Sequence, residues 1–352
     1  MQNFNKILKN AAEQGASDIH LSLVDGVSLR INGRLVRQED ISCTASDMEE
    51  LLSLFMTGEM ALRLKNEGEL SLVYDAGESE RFRINLYRKN KALAASIRII
   101  PKEAPMLSQL QAPQALSALI KESSGIILEA GKTGSGRSTT VAAMIREINL
   151  IGERHLVSIE ENIEFPIKSD RAVIDQRKLV DDTKSYSEGI KAAIRENADI
   201  IVLSELDCRE TVEEALYAAE TGKLIIGVVG ATDSITAIKR LLSFYEPERQ
   251  DALRGRLSDS LICCLSQLLI PTKKDGRKAA FELLIADRAV RNLLKEGKYG
   301  QVTAIMQADH RLGMMIMDDS ICEMYLTGQI SRENALFYAL DRTYVEERLN
   351  GI

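Results

Sequence analysis

A chain of 352 residues is long enough for two or three domains with cores of their own, and 45% hydrophobic with 28% charged residues is the balance of an ordinary globular protein, not a disordered one. A formal net charge of −7, the absence of tryptophan and the lack of aromatic–basic stretches weigh against a nucleic-acid binder. The five cysteines, Cys43, Cys208, Cys263, Cys264 and Cys322, form no C-x-x-C pair, so no disulfide framework is expected and each reads as a small buried apolar residue.

In chain order, residues 4–14 predict a short helix and Asp18-Ile19-His20-Leu21-Ser22-Leu23 alternates as a strand. Asp25-Gly26 and Asn32-Gly33 are hairpin dipeptides around strands at 27–31 and 35–36. Ser46-Asp47-Met48-Glu49 reads as a capping box that opens a helix to about Met56, followed by a second helix to about Asn66. Strands over 69–74, 81–87 and 92–100 complete an α+β domain of residues 1–100, and Pro101, Pro105 and Pro113 mark a linker over 101–115.

From Gly125 onward strands alternate with helices, which predicts a mainly parallel sheet and the α/β class. Strands are expected at 126–128, 156–159, 172–174, 200–203 and 224–229, with helices at 186–196 and 210–221. Past Ser234 the pattern is mostly helical, with one strand pair near 268–270 and 280–285, so 116–285 reads as one domain and 286–352 as a helical C-terminal region. Met314-Met315-Ile316-Met317 reads as helix core. The start, Met1-Gln2-Asn3-Phe4-Asn5-Lys6, is too polar for a signal peptide, and the best apolar run, 261–270, is interrupted by Ser266 and Gln267 and too short to span a bilayer. A cytoplasmic protein without direct membrane insertion is expected.

The stretch Gly131-Lys132-Thr133-Gly134-Ser135-Gly136-Arg137-Ser138-Thr139-Thr140 carries the chemistry. It fits the phosphate-loop pattern G-x-x-x-x-G-K-[ST] except that Arg137 stands where lysine is required, and it lies between a strand and a helix, as that motif must. Backbone N–H groups in such a loop form an anion cradle, and Ser138 would offer a hydroxyl to Mg²⁺. Phosphoryl transfer also needs carboxylates at neighbouring strand ends, and Glu205 and Glu160 follow the apolar runs 200–203 and 156–159. Arg83 and Arg98 lie on adjacent strands where they could share a face and reach a neighbouring subunit's phosphates, or simply be solvated sheet charge. His20, His155 and His310 form no cluster with metal-ligand spacing.

Together these residues resemble the PilT-type motor ATPases of the type IV pilus, within the wider secretion-ATPase superfamily. Gly15-Ala16-Ser17-Asp18-Ile19-His20-Leu21 looks like the N-terminal signature, and Arg81-Phe82-Arg83-Ile84-Asn85 with Ser96-Ile97-Arg98 like the arginine-bearing strands. The stretch Ile159-Glu160-Glu161-Asn162-Ile163-Glu164-Phe165 is similar to the acidic Asp box, and Ala218-Ala219-Glu220-Thr221-Gly222 to the approach to the His box. Ala289-Val290-Arg291-Asn292-Leu293, Leu312-Gly313-Met314 and the stretch from Ile330 to Ala335 resemble the retraction branch, and nothing matches the four-cysteine zinc module of the assembly and secretion branches.

The resemblance implies a PAS-like N-terminal domain and a RecA-like P-loop NTPase domain, assembled as a homo-hexamer or as a mixed ring with a paralogue. It implies ATP and Mg²⁺ as cofactors and an inner-membrane pilus platform protein as partner, which would place the protein at the cytoplasmic side of that membrane. Gly131, Thr133, Gly134, Ser135, Gly136, Arg137, Ser138 and Thr139 would hold nucleotide, Glu205 would match the Walker B glutamate and Glu160 an Asp-box glutamate, and Arg83, Arg98 and Arg195 would match arginines that reach the nucleotide.

Departures from the family pattern concentrate at the nucleotide site. Besides Arg137, Lys132 stands where proline is usual, Glu161-Asn162 replaces Asp-Pro, Leu206-Asp207-Cys208 follows Glu205 in place of Met-Arg-Asp, and Lys223 and Gly230 occupy the two histidine positions. Arginine keeps lysine's charge but is planar and bidentate, so impaired hydrolysis is expected, with a non-hydrolysing scaffold or regulator of an active paralogue as the alternative.

Overall fold

The computed structural model describes residues 3–31, 33–39, 43–76, 80–90, 92–100, 103–274, 276–308 and 312–351. Met1, Gln2, Asn32, Pro101 and His310, singled out above, lie outside them. The chain divides into two compact units, Met1–Glu103 and Ala104–Ile352.

The first unit runs α1 (Asn3–Glu13), β1 (Ala16–Ser22), β2 (Gly26–Ile31), β3 (Arg34–Gln38), α2 (Ala45–Phe55), α3 (Gly58–Glu67), β4 (Glu69–Ala76), β5 (Glu80–Lys89) and β6 (Ala92–Ile100). Its six strands form one sheet in the order β3-β2-β1-β6-β5-β4, with every neighbouring pair antiparallel. Helix α1 buries Phe4, Ile7, Leu8 and Ala11, the spacing of a single helix face. They pack with Ile19, Leu29, Leu51, Phe82 and Ile97 in one core. A capping box does open α2, but two residues earlier than expected: Thr44 Oγ1 accepts from the Asp47 N–H at 3.3 Å while Asp47 Oδ2 accepts from the Thr44 N–H at 2.7 Å. Aspartate in place of the usual Glu or Gln hid the motif.

The second unit begins with Leu107 buried against Leu116 and Ile120 of α4 (Leu116–Leu119) and the residue that follows it. There follow β7 (Gly125–Ala130), α5 (Arg137–Ile151), β8 (His155–Glu160), β9 (Val173–Lys178), α6 (Tyr186–Arg195), β10 (Ile200–Leu203), α7 (Arg209–Glu220) and β11 (Leu224–Val229). After α8 (Ser234–Ser243) and α9 (Pro247–Ser260) come β12 (Leu261–Pro271) and β13 (Arg277–Ile285). The C-terminal helices are α10 (Arg288–Lys295), α11 (Tyr299–Ala308), α12 (Met317–Leu326), α13 (Arg332–Tyr338) and α14 (Arg342–Asn350).

The seven-stranded sheet has the order β13-β12-β7-β11-β10-β8-β9 and is parallel except for the β12–β13 pair. All six residues of β7 are buried, as are all of β10 and β11, which is why these strands read as continuous apolar runs without alternation. The carboxyl ends of β7, β8, β10 and β11 share one edge of the sheet, where open α/β folds place their ligands.

Two further sequence expectations need correction. The apolar run from Leu261 is an eleven-residue strand, longer than the short strand expected. The run 314–317 is not helix core: Met315 pairs with Leu283 of β13 as an antiparallel bridge, exchanging N–H···O bonds of 2.9 and 3.1 Å, and α12 begins only at Met317. Met314 and Met317 are nevertheless buried.

Asp318 fastens the C-terminal helices. Its Oδ1 accepts from the Leu340 N–H and its Oδ2 from the Asp341 N–H, both at 2.8 Å. Asp318→Ala is expected to lower the unfolding free energy by about 1–3 kcal/mol for each amide left without an acceptor, measured by urea denaturation.

Candidate functional site

The glycine loop leaves the interior strand β7 and runs into α5, so its N–H groups face the ligand edge of the sheet. Two glycines are required by contact. A Cβ on Gly131 would lie 2.2 Å from Ser135 Oγ and 3.1 Å from Arg137 Cγ. Gly136, the residue before α5, has φ +96°, and a Cβ there would lie 2.9 Å from Gln267 Nε2. Gln267 of β12 sets the loop's shape: its Nε2 donates to the Ser135 carbonyl at 2.7 Å, and its Oε1 accepts from Thr140 Oγ1 at 2.6 Å.

Lys132, Thr133, Gly134 and Ser138 are exposed at the loop, Ser135 is buried, and Gly136, Arg137 and Thr139 are half-buried. Lys132, Thr133, Gly134 and Ser135 line a cavity of about 490 Å³ shared with Phe337 and Tyr338. On the inner side, Arg137 and Ser138 line a smaller cavity of about 70 Å³ with Glu160, Asn162, Gln176 and Ser204. Ser135 Oγ and Arg137 Nη1 are buried and have no hydrogen-bond partner among the described residues. Donors left in that state fit an anion such as phosphate. Among the described residues no cluster of three or more His, Cys, Asp or Glu could hold a metal; Ser138 offers an exposed hydroxyl at the start of α5.

Glu160 ends β8, and its Oε1 accepts from Ser158 Oγ at 2.6 Å and from Gln176 Nε2 at 2.9 Å. Burial pushes its carboxyl above the ordinary range, with those two hydrogen bonds pulling the other way. Glu205 follows β10 and is half-buried between two clamped neighbours. On one side Ser204 Oγ lies 2.8 Å from the Tyr186 hydroxyl and accepts from the Glu161 N–H at 3.1 Å. On the other, the Leu206 N–H donates to the Val228 carbonyl at 2.8 Å, with the Leu206 side chain seated over Gly227. Glu205 does not line the cavity that Glu160 shares with Arg137 and Ser138.

Arg195 does not join this group. It is the exposed last residue of α6, and the chain then enters β10 at the edge opposite the glycine loop. Arg83 and Arg98 are directly opposed across β5 and β6 and share a face of the first unit's sheet. Arg98 also faces Asp18 across β1, where its Nε donates to Asp18 Oδ1 at 2.8 Å; Asp18 is buried, and burial's upward push on it is outweighed by Arg98 and Ser17, leaving its carboxyl below the ordinary range. At Gly230, Arg240 Nη1 donates to the backbone carbonyl at 2.9 Å and occupies the space a side chain there would take.

Sequence reasoning missed Gln267, Ser204, Gln176 and Glu129. Gln267 left a trace as the polar break in an apolar run. Glu129 left another, as the only ionisable residue of an entirely buried strand.

Known proteins share both the sequence and the fold that carry this site. Residues 1–312 match the family described as type II/IV secretion system protein. The chain is 34% identical over 318 residues to the uncharacterized protein YggR of Escherichia coli, covering 90% of this chain and 97% of that one. It is 33% identical over 333 residues to the type IV pilus retraction ATPase PilT of Pseudomonas aeruginosa, covering 95% and 97%. Among solved structures, that of the pilus retraction motor PilT with bound ADP superposes with a TM-score of 0.87 at 35% identity, over 97% of this chain and 98% of the other.

Two outcomes test the site as built. Gln267→Leu removes the acceptor of Thr140 and the donor to Ser135, and amide hydrogen exchange at residues 131–136 is expected to speed up while β7 and β11 stay protected. For Glu160, a folded-state pKa raised above the ordinary 4.5 means that stability is full below that value and is lost as pH rises through the raised one. Glu160→Gln removes this loss, so the thermal midpoint of the variant relative to the parent is expected to climb from about pH 4.5 upward.

Proposed function

The chain belongs to the type II/IV secretion system protein family, and we propose that within it the protein is a PilT-like ring ATPase of a type IV pilus that binds ATP and turns it over slowly. The observation that supports this reading is a glycine loop held in shape by Gln267, with buried donors that have no partner among the described residues and with arginine at the lysine position. The likeness to the retraction ATPase of Pseudomonas aeruginosa supports the pilus assignment.

In this reading the loop amides from Gly131 to Thr139 cradle the phosphates and Ser135 Oγ donates to them. Arg137 supplies the positive charge. A guanidinium spreads that charge over a plane where an ammonium would concentrate it, so the β–γ bridge is held with poorer geometry and the barrier rises. Ser138 would hold Mg²⁺, which would supply neutralisation of phosphate charge when bound. Glu205 orients the attacking water, and Glu160, kept neutral more readily by its burial, positions it by hydrogen bonding. Arg83, Arg98 and the exposed Arg195 serve nucleotide held by a neighbouring copy, in a homo-hexamer or in a mixed ring with a paralogue. The ring works at the cytoplasmic face of the inner membrane against a platform protein, without entering the bilayer or binding nucleic acid. The extent of residues 1–100, 116–285 and 286–352 as separate functional parts, joined by 101–115, belongs to the same proposal.

Steady-state ATPase assay of the purified oligomer tests it. Turnover is expected well below about one per second, and Arg137→Lys is expected to raise it by an order of magnitude or more. Turnover above that level in the unmodified protein, abolished by Glu205→Gln, would contradict the impaired motor. Undetectable turnover in both the parent and Arg137→Lys would leave the non-hydrolysing scaffold as the better account. Lys132 lies exposed on the larger cavity, and Lys132→Ala is expected to weaken turnover less than Arg137→Ala does.

A further inference from the structure

Glu129 is the penultimate residue of β7, directly beneath the glycine loop, and it is wholly buried. In the parallel register it sits between Val228 of β11 and Leu265 of β12, among side chains of the core that packs against α5. Neither carboxyl oxygen has a hydrogen-bond partner among the described residues. A carboxyl group in such a place is costly, and an apolar residue would fill the position without that penalty.

The opposite charge that acts on Glu129 is that of Arg137. Arg137 begins α5, yet its stem folds back against the end of β7, with Cγ 3.1 Å from the position a Gly131 Cβ would take. Its Nη1 is buried and also without a hydrogen-bond partner among the described residues. A carboxyl and a guanidinium nitrogen, each buried and without a hydrogen-bond partner among the described residues, thus lie at the base of one loop.

We propose that Glu129 is the internal counter-charge of Arg137, drawing its guanidinium under the phosphate loop so that a bound nucleotide must compete with a buried carboxyl for it. The proposal rests on nucleotide binding at this loop, and it makes Glu129 a positioning residue that acts through Arg137. Burial holds the Glu129 carboxyl well above the ordinary range even with the Arg137 charge pulling it down. As the guanidinium approaches, the carboxyl gains anionic character and the pairing strengthens. Nucleotide phosphate offers the guanidinium an alternative partner and relaxes it. Affinity at this loop is then set by a residue that touches no ligand.

A double-mutant cycle decides the matter, with a fluorescent ATP analogue and Mg²⁺ as probe and the full chain in its native oligomer. Glu129→Gln and Glu129→Val are both expected to tighten binding about tenfold or more when Arg137 is present, and by less than about twofold in the Arg137→Ala background. Equal gains in both backgrounds, no gain, or a gain with valine that glutamine does not reproduce would each overturn the pair, the last because it would trace the effect to packing. The same proteins without ligand give an independent reading. Their thermal midpoints are expected to be non-additive, with the Glu129→Gln/Arg137→Ala double variant more stable than the sum of the single changes requires. Additive midpoints overturn the pair whether or not nucleotide binds. Non-additive midpoints in proteins that all fail to bind the probe sustain the pair and overturn nucleotide binding instead.

Discussion

A strand buried on both faces has no freedom to fray, and β7 is such a strand: every residue from Gly125 to Ala130 is withdrawn from water between β11 and β12. Because the strand cannot move, the chain that leaves its carboxyl end starts from a fixed point and direction. Gln267 then fixes the other side, since its amide joins the loop carbonyl of Ser135 and the first turn of α5 through Thr140. The phosphate cradle is therefore not a flexible loop that happens to be rich in glycine. It is a short bridge between two immobile supports, and the orientation of its N–H groups follows from the supports.

Much of this was legible in the residues themselves. Alternation and hairpin dipeptides located the strands of the first unit, because one face of an antiparallel sheet is buried and the other is not. Continuous apolar runs located β7, β10 and β11 for the opposite reason. Legibility failed where a side chain's meaning depends on a distant partner. Gln267 lies far along the chain from Thr140, and nothing local to either residue states that they will meet. The run of methionines at 314–317 has helical composition, yet the open edge of β13 captures Met315 into a bridge. The Thr44–Asp47 box is masked in the sequence by Ser46 and Glu49, which have the commoner spelling of the same motif two residues on.

The arginines of the first unit show the same limit from another side. Their sharing of a face follows from strand periodicity and is seen in the register. Spacing could not say that Arg98 is already engaged by Asp18, with Arg30 3.9 Å from the same carboxylate. Asp18 was visible in the sequence as part of a motif, and its physical role is that of a buried anion around which basic side chains on neighbouring strands are ordered. Lys223 and Gly230 have local partners as well: Lys223 turns to Asn197, and Arg240 closes over Gly230.

Any open sheet ends in strands with unused N–H and C=O groups, and the seven-stranded sheet has two such borders. At one, the Met315 bridge to Leu283 covers part of β13. At the other, β9 carries Asp175, Gln176, Arg177 and Lys178 in succession, a charged and polar border that disfavours strand addition. Copies of this chain crowded together can therefore press surface against surface without their sheets merging into one another. The devices that finish the sheet in a single molecule are also what would keep an assembly of many molecules from becoming an aggregate.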